Sequence, residues 1–186
     1  MVSMMNGETE LEGVVLYTPK VFWDERGWFK ENWKANGELA KYNFVQENVS
    51  KSSKGVLRGL HFQSPKAQGK LVTVLNGSVI DVILDLRPDS PTYKQAESFL
   101  LTSKNSYQLY VPEGFAHGFL SLEDNTIFHY KCTNYYDPNG EYTLLWDNEL
   151  TKDLWFSVPH DFLINVSEKD KQGMELSKCL ENKYFQ

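Results

Sequence analysis

The chain has 186 residues, of which 41% are apolar and 14% aromatic, with a net charge of −6 and a pI of about 5.3. This length allows one domain with a substantial core, and the acidic balance argues against a nucleic-acid-binding protein, which would normally show a basic stripe. A local basic pocket for an anionic small molecule remains compatible with it, because net charge does not describe a cleft.

The N-terminus and the cysteines favour a cytoplasmic protein. The first residues, MVSMMNGETELEG, lack a basic segment followed by an apolar one, and no apolar run approaches the roughly 18 residues of a membrane span. Cys132 and Cys179 show no metal-type spacing, so free thiols in a reducing compartment are expected. We expect neither a membrane nor nucleic acid as a partner.

The N-terminal third predicts short strands. Strands are expected at residues 14–17, 20–23, 28–33 and 44–49, with a turn at 24–27 and one or two helical turns at 36–42. In the last of these strands Gln46 and Asn48 share one face with Phe44. Their polar side chains could line a pocket or meet water.

The middle of the chain predicts a hairpin. Residues 71–75 and 78–86 read as strands, and Asn76-Gly77 between them is a strong hairpin signal because both central positions of a type I′ turn need a positive φ. On the second strand Asp81 and Asp85 share one face, and the other face carries Ile80, Val82, Leu84 and Leu86. A strand at 57–63, which carries His61, precedes the hairpin.

Further strands follow a proline-containing loop at 87–95. They are expected at residues 96–102, 108–111, 118–122, 126–133 and 142–146. Many short strands at spacings of about 8–12 residues indicate an all-β sandwich or barrel. Ser167 followed by Asp170 resembles a helix N-cap, which predicts a short C-terminal helix. Without an internal repeat or linker, residues 1–186 are expected to form one domain.

His61 is the first candidate for chemistry. A lone His in an apolar strand is more often structural, but Arg58 and Lys70 are close in the sequence, and neighbouring cations favour the neutral imidazole that can accept a proton. Strict alternation puts Arg58 and His61 on opposite faces of the strand. A bulge at Gly59 would bring both into one pocket.

Three further groups each have a structural and a functional interpretation. His117, in a turn between two glycines, either caps backbone groups or is a second pocket His. Tyr130 and Tyr136 either pack in the sheet or, in a pocket, donate a proton or stack on a nucleobase. Asp170 is either a first-turn helix acid or the carboxylate that orients His61.

A metal centre is the main alternative on a β-barrel. Mononuclear metal sites of this kind usually combine two or three His with a carboxylate. His61 has no His-x-His neighbour, and His117, His129 and His160 are isolated in the sequence. We therefore expect no metal and no other cofactor, and keep a metal-dependent cupin oxygenase as the alternative class.

The chain resembles the dTDP-4-dehydrorhamnose 3,5-epimerase family, the cupin-type nucleotide-sugar epimerases. The resemblance covers nearly the whole chain and depends on many motifs in one order. They are DERGWFKE (24–31), FVQEN (44–48), SSKGVLRGLHFQ (52–63), AQGKLV (67–72), DLRPDSPTY (85–93), PEGFAHGF (112–119), YKCTNYYDP (130–138) and SEKD (167–170).

The resemblance implies an all-β cupin-like jelly-roll barrel with short peripheral helices, a homodimer and no metal. His61 matches the catalytic base, Asp170 its carboxylate partner, Tyr130 the proton donor, and Lys70 the group beside the keto oxygen. Further matches are Arg58 and Arg26 for the diphosphate, Gln46, Asn48, Glu31 and Tyr136 for the nucleotide, and His117 and Asp81 in the pocket. The 26–31 segment is expected to reach the neighbouring subunit's site.

The implied activity is that of an isomerase. It inverts C3, C5 or both in a nucleotide-linked 4-keto-6-deoxy sugar, of the dTDP-4-keto-6-deoxyglucose type, for surface polysaccharide biosynthesis. Phe62 stands where many members have Tyr, and residues 155–165 do not align clearly. The motifs specify the reaction type better than the nucleotide or sugar, so a GDP-4-keto-6-deoxyheptose, epimerised at C3 alone, stays an alternative. A non-catalytic sugar-nucleotide-binding module and a 4-keto to 3-keto sugar isomerase are further ones.

Overall fold

The computed structural model describes residues 9–182 and 184–185 of the chain. Its strands, numbered in chain order, are β1 (Val15–Tyr17), β2 (Val21–Asp24), β3 (Gly27–Lys30), β4 (Gln46–Ser52), β5 (Val56–Gln63), β6 (Lys70–Asn76), β7 (Ser78–Asp85), β8 (Ala96–Thr102), β9 (Gln108–Val111), β10 (Phe115–Ser121), β11 (Thr126–Cys132), β12 (Glu141–Thr143) and β13 (Asn165–Val166). The helices are α1 (Glu168–Lys171) and α2 (Leu176–Glu181), with 3₁₀ turns at Glu38–Lys41 and Leu154–Phe156.

Two stacked sheets form the body of the protein. The first has the strand order β1-β9-β6-β11-β4 and the second the order β12-β5-β10-β7-β8, with β13 beside β5. The chain passes between the sheets repeatedly, as from β6 to β7 and from β10 to β11. This is a jelly-roll barrel, and the predicted all-β fold with short peripheral helices is confirmed.

The predicted hairpin at Asn76-Gly77 is wrong. β6 pairs with β9 and β11 in the first sheet, whereas β7 pairs with β8 and β10 in the second. Gly77 has a φ of +81°, as the turn signal requires, but a Cβ there would lie 2.5 Å from the Thr126 hydroxyl. The dipeptide therefore makes a tight corner between sheets, and its positive φ alone does not decide which strands pair.

Apolar side chains from both sheets fill the space between them. Val72 and Phe128 come from the first sheet, and Ile83 and Phe119 from the second. Complete burial of such a side chain stabilises the fold by about 1.5–3 kcal/mol. Since Phe119 and Phe128 also line the cavity described below, this core frames the candidate site.

The second sheet is also covered on its outer face. Ile80, Val82 and Leu84 of β7 pack in a cluster with Trp155 and Leu176 from the C-terminal part of the chain. Every residue of β7 is consequently buried. Alternation along the strand places Asp81 on the opposite, inner face, which confirms the predicted division of its side chains.

The C-terminal helix begins as predicted. Ser167 is the N-cap of α1, and its hydroxyl accepts a hydrogen bond from the Asp170 backbone N–H at 3.1 Å. Helix α2 was not predicted. Neither these helices nor any other in the described part of the chain has the length and apolar character of a membrane span. Residues 1–8, 183 and 186 lie outside the described residues, so one domain over 1–186 stays a prediction.

Candidate active site

A cavity of about 230 Å³ opens between the two sheets. Its wall combines charged and aromatic side chains that the sequence scatters over 92 positions, from 50 to 141. The lining residues are Ser50, Arg58, His61, Lys70, His117, Gly118, Phe119, Phe128, Tyr130 and Glu141. Five of the predicted site residues thus line one cavity: Arg58, His61, Lys70, His117 and Tyr130.

His61 and Asp170 form a close pair at one wall. The His61 Nε2 atom lies 2.6 Å from Asp170 Oδ1, and the Gly59 backbone N–H donates to Oδ2 at 3.3 Å. Burial raises the pKa of Asp170, but the hydrogen bonds to His61, Gly59 and Ser167 outweigh it and lower the pKa overall. An ionised carboxylate at this distance fixes the orientation of the imidazole.

Gly59 makes the arrangement of β5 possible. His61 pairs with His117 and Arg58 with Phe119, so three steps along β5 match two steps along β10, and the register shifts between them. The φ of Gly59 is +125°, and a Cβ there would lie 2.5 Å from Gly118 Cα. The predicted bulge is confirmed, and it brings Arg58 and His61 to one cavity.

Tyr130 faces the cavity from the other sheet. It lies on β11 of the first sheet, directly opposite Asn48 and Val72, whereas His61 lies on β5 of the second. Burial, helped by Cys132 and Glu141, raises the pKa of the phenol against the opposing effect of Arg58. The phenol is therefore protonated at neutral pH and can donate a proton.

Lys70, Asp81 and His117 form the polar inner part of the site. The His117 Nε2 atom lies 2.9 Å from both carboxylate oxygens of Asp81. Burial raises the pKa of Asp81, while His117 and Lys70 oppose the rise. Burial lowers the pKa of Lys70, and the nearby Cys132, Asp81 and Glu141 oppose this by favouring the ammonium.

Arg58 stands at the mouth of the cavity. Its side chain is exposed, its Nε donates to the Ser52 hydroxyl at 3.2 Å, and its Nη2 donates to the Lys51 carbonyl at 3.4 Å. These two bonds leave other guanidinium N–H groups free to bind an oxyanion, which a planar fork can hold with two bonds.

Gln46, Asn48 and Tyr136 are joined into one wall beside the cavity. The Gln46 amide donates to Asn48 Oδ1 at 3.1 Å and accepts from the Tyr136 backbone N–H at 2.8 Å. The Tyr136 hydroxyl donates to Glu141 Oε2 at 3.1 Å. Through Glu141 this wall is continuous with the cavity.

Arg26 and Glu31 are not brought to this cavity within one chain. Among the described strands, β2 and β3 pair only with each other and form a two-stranded arm, with an ion pair between Arg26 and Asp24 near its tip. Glu31 follows the arm and forms an ion pair with Lys34 at 3.0 Å. Both side chains are exposed.

Glu141 and Lys169 were missed at the sequence level. Glu141 lines the cavity and accepts hydrogen bonds from both Tyr136 and Lys169. Burial raises its pKa, but the contact with Lys169 outweighs burial and lowers it overall. The sequence predicted that this strand begins one residue later, at Tyr142. In the structure Glu141 belongs to the strand and shares a face with Thr143, which pairs directly with His61.

The other histidines lie apart from the cavity. His129 Nε2 is 2.9 Å from Glu47 Oε1, and His160 Nε2 is 3.3 Å from the Trp155 carbonyl. Across the described residues no group of three or more His, Cys, Asp or Glu side chains is placed to hold a metal ion.

Comparisons with known proteins agree on one family. Residues 8–178 match the family model described as dTDP-4-dehydrorhamnose 3,5-epimerase. A protein of that name from Salmonella typhimurium is 45% identical over 178 residues, which cover 93% of this chain and 96% of the relative.

Solved structures agree in fold as well. An epimerase from Legionella pneumophila, in complex with dTDP-4-keto-L-rhamnose, superposes with a TM-score of 0.84 at 39% identity and covers 95% of this chain and 94% of its own. A 3′-monoepimerase from Streptomyces bikiniensis, in complex with dTDP-quinovose, has a TM-score of 0.83 at 27% identity. The superposition covers 95% of this chain and 90% of that protein's chain. The similarity therefore extends over the whole barrel.

Proposed function

The chain belongs to the dTDP-4-dehydrorhamnose 3,5-epimerase family and is an isomerase, and we propose that it inverts C3 and C5 of a dTDP-linked 4-keto-6-deoxy sugar. The observation that carries this proposal is the placement of a carboxylate-oriented imidazole and a protonated phenol on facing sheets of one cavity. Inversion needs a base on one face of the sugar and an acid on the other.

The chemistry begins at His61. The C–H bonds at C3 and C5 are acidified by the keto group between them, and the neutral imidazole takes one of these protons. Asp170 stabilises the imidazolium that results. The electron pair moves onto the keto oxygen and forms an enolate.

Lys70 and Tyr130 complete the cycle. The Lys70 ammonium donates a hydrogen bond to the enolate oxygen, where negative charge develops. The Tyr130 hydroxyl then delivers a proton to the opposite face of the same carbon and inverts it. The imidazolium loses its proton and the phenolate regains one before the second centre reacts.

The remaining predicted residues bind either the nucleotide diphosphate or the sugar. Arg58 at the cavity mouth binds the diphosphate, and Gln46, Asn48 and Tyr136 form the surface for the nucleobase. Asp81 and His117 hold the inner end of the sugar site beside Lys70. The reaction transfers only protons and needs no cofactor.

The site is completed by a second copy of the chain. The arm exposes aromatic side chains that a monomer would leave in water, with Trp23 72% and Phe29 64% exposed. Exposed apolar patches of this kind mark interaction surfaces. In the homodimer we propose, Arg26 and Glu31 of one copy reach the nucleotide in the site of the other. The enzyme works in the cytoplasm and supplies a sugar for a surface polysaccharide.

Solvent exchange tests the proposed activity. The protein is incubated in D₂O with dTDP-4-keto-6-deoxyglucose and, in parallel, with a GDP-4-keto-6-deoxyheptose, and the products are analysed by NMR. Deuterium at C3 and C5 of the dTDP sugar is expected. Deuterium at C3 alone would make the protein a 3-epimerase, and exchange only in the GDP sugar would assign the other nucleotide. No exchange in either would reject the proposal.

A further inference from the structure

The loop between β11 and β12 carries Tyr136, and its backbone is hydrogen-bonded to the side chain of Gln63. Gln63 is the last residue of β5 and is buried, with 5% of its surface exposed. It belongs to the SSKGVLRGLHFQ motif, yet it lines neither the cavity nor any surface used in the proposed reaction. A buried amide needs partners for its acceptor and both of its donors.

Gln63 finds these partners on both sides of Tyr136. Its Oε1 accepts from the Asp137 backbone N–H at 2.9 Å, and its Nε2 donates to the Tyr135 carbonyl at 3.0 Å. The same nitrogen donates to the Lys66 carbonyl in the turn after β5. The peptide groups that flank Tyr136 are therefore fixed to the end of β5.

The side chain of Tyr136 is held in place but left accessible. Its hydroxyl donates to Glu141, its backbone N–H donates to Gln46, and about half of its surface, 51%, is exposed. Because this exposed aromatic ring is already immobilised, it loses little conformational entropy when a planar ligand stacks on it.

We propose that Gln63 is a positioning residue that sets the ring of Tyr136 for the nucleobase at a defined place relative to His61. Gln63 and His61 lie two residues apart on β5, so both side chains point to the same face of the strand. One strand thereby fixes both the group that removes the proton and the surface that receives the nucleobase. This inference rests on the proposed nucleotide-sugar substrate.

The Gln63→Glu variant tests the proposal. It keeps the length and the acceptor of the side chain but loses both N–H donors, so the loop loses its bonds to Tyr135 and Lys66. We expect KM for the nucleotide sugar to rise about tenfold with kcat within about twofold, since uniform binding is lost and the chemistry is not. The dissociation constant of dTDP alone, measured by calorimetry, should rise about tenfold too.

Gln68→Ala is the matched control. The Gln68 amide donates to the Asn134 carbonyl at 2.9 Å, near the start of the same loop. Among the described hydrogen bonds it makes none to Tyr135, Tyr136 or Asp137. It should leave KM, kcat and dTDP affinity unchanged. An equal loss of dTDP affinity in both variants would show general loosening of the loop and would overturn the proposal.

A double-mutant cycle with Tyr136→Ala separates positioning from stability. If Gln63 acts through the Tyr136 ring, Gln63→Glu should weaken dTDP binding in the native background and have little further effect in the Tyr136→Ala background. Equal effects in both backgrounds would contradict the proposal. Because dTDP binding needs no turnover, an inactive wild-type protein that shows this coupling would reject the epimerase assignment while supporting the role of Gln63.

Discussion

The cavity between the sheets and the arm formed by β2 and β3 differ in how their polar groups are satisfied. In the cavity, His61 is paired with Asp170 and His117 with Asp81, and both carboxylates are buried. In the arm, Arg26 contacts Asp24 two residues away, and both are exposed to solvent. The groups assigned to chemistry are thus held within one chain, whereas the ion pair of Arg26 is local and leaves its guanidinium in solvent, open to the second copy proposed above.

The largest expected effect tests the cavity half of this contrast. His61→Ala removes the base, and general base catalysis is worth about 10²–10⁴-fold, so kcat should fall by about 10³-fold or more. The fold should survive, because the imidazole is at the cavity wall and not in the apolar core. Turnover is measured by NMR and folding by circular dichroism.

His160→Ala is the control for this substitution. His160 lies outside the cavity, stacked between Phe156 and Phe162. It should keep wild-type turnover. Full activity in His61→Ala would remove His61 from the mechanism.

A smaller loss is expected when the partner of His61 is changed. Asp170→Asn keeps the shape of the side chain but replaces the carboxylate that orients and stabilises the imidazolium, so kcat should fall by about a hundredfold with little change in KM. Steady-state kinetics with the nucleotide sugar measure both constants. A rise in KM at unchanged kcat would instead place Asp170 in substrate binding.

The arm half of the contrast predicts complementation between subunits. Arg26→Ala should raise KM about tenfold because a diphosphate contact is lost. If each site combines the cavity of one chain with the arm of the other, a heterodimer of Arg26→Ala with His61→Ala has one site with both substitutions and one site with neither. At substrate concentrations well below KM we therefore expect about half of the wild-type kcat/KM, although each parent is defective by this measure.

Co-expression with two different affinity tags yields this heterodimer in pure form. Its kcat/KM is compared with that of each homodimer prepared in the same way. A heterodimer no more active than its parents would show that Arg26 serves the site of its own chain, and the contrast between a self-contained cavity and a shared arm would fail.

The smallest expected effect is a pH dependence of stability from Asp170. Its pKa lies below the ordinary 3.8, so the ionised carboxylate stabilises the fold fully above that value, and the contribution is lost as pH falls through the folded-state pKa. The free energy of unfolding in urea is measured for the wild type and Asp170→Asn from pH 7 to pH 3. The difference between the two proteins should be constant near pH 7 and shrink toward pH 3. A difference that grows on acidification would contradict the assigned direction.

The sequence was most informative where a residue's role depends on its own strand. Gly59 between Arg58 and His61 indicated where a bulge could form, and alternation along β7 put Asp81 on the face opposite Ile80, Val82 and Leu84. It misled at Asn76-Gly77, because a positive φ is required equally by a hairpin and by a corner between two sheets. The strand pairing depends on distant segments such as β10 and β11.

The site was harder to predict where contacts cross the chain. Glu141 and Lys169 are 28 residues apart, and their contact requires β12 and α1 to flank β5 on the side of His61. Neither spacing nor local pattern encodes that proximity. Arg26 and Glu31 came only from the family resemblance, since no described contact within the chain joins them to the cavity.

The central claim, that His61 and Tyr130 act on opposite faces of the sugar, is tested most directly with Tyr130→Phe in D₂O. The variant keeps the ring and loses the proton it would donate. We predict that substrate C–H bonds still exchange with solvent through His61 while inversion at C3 and C5 becomes much slower than exchange. Inversion at the wild-type rate would show that Tyr130 is not the acid and would contradict the account.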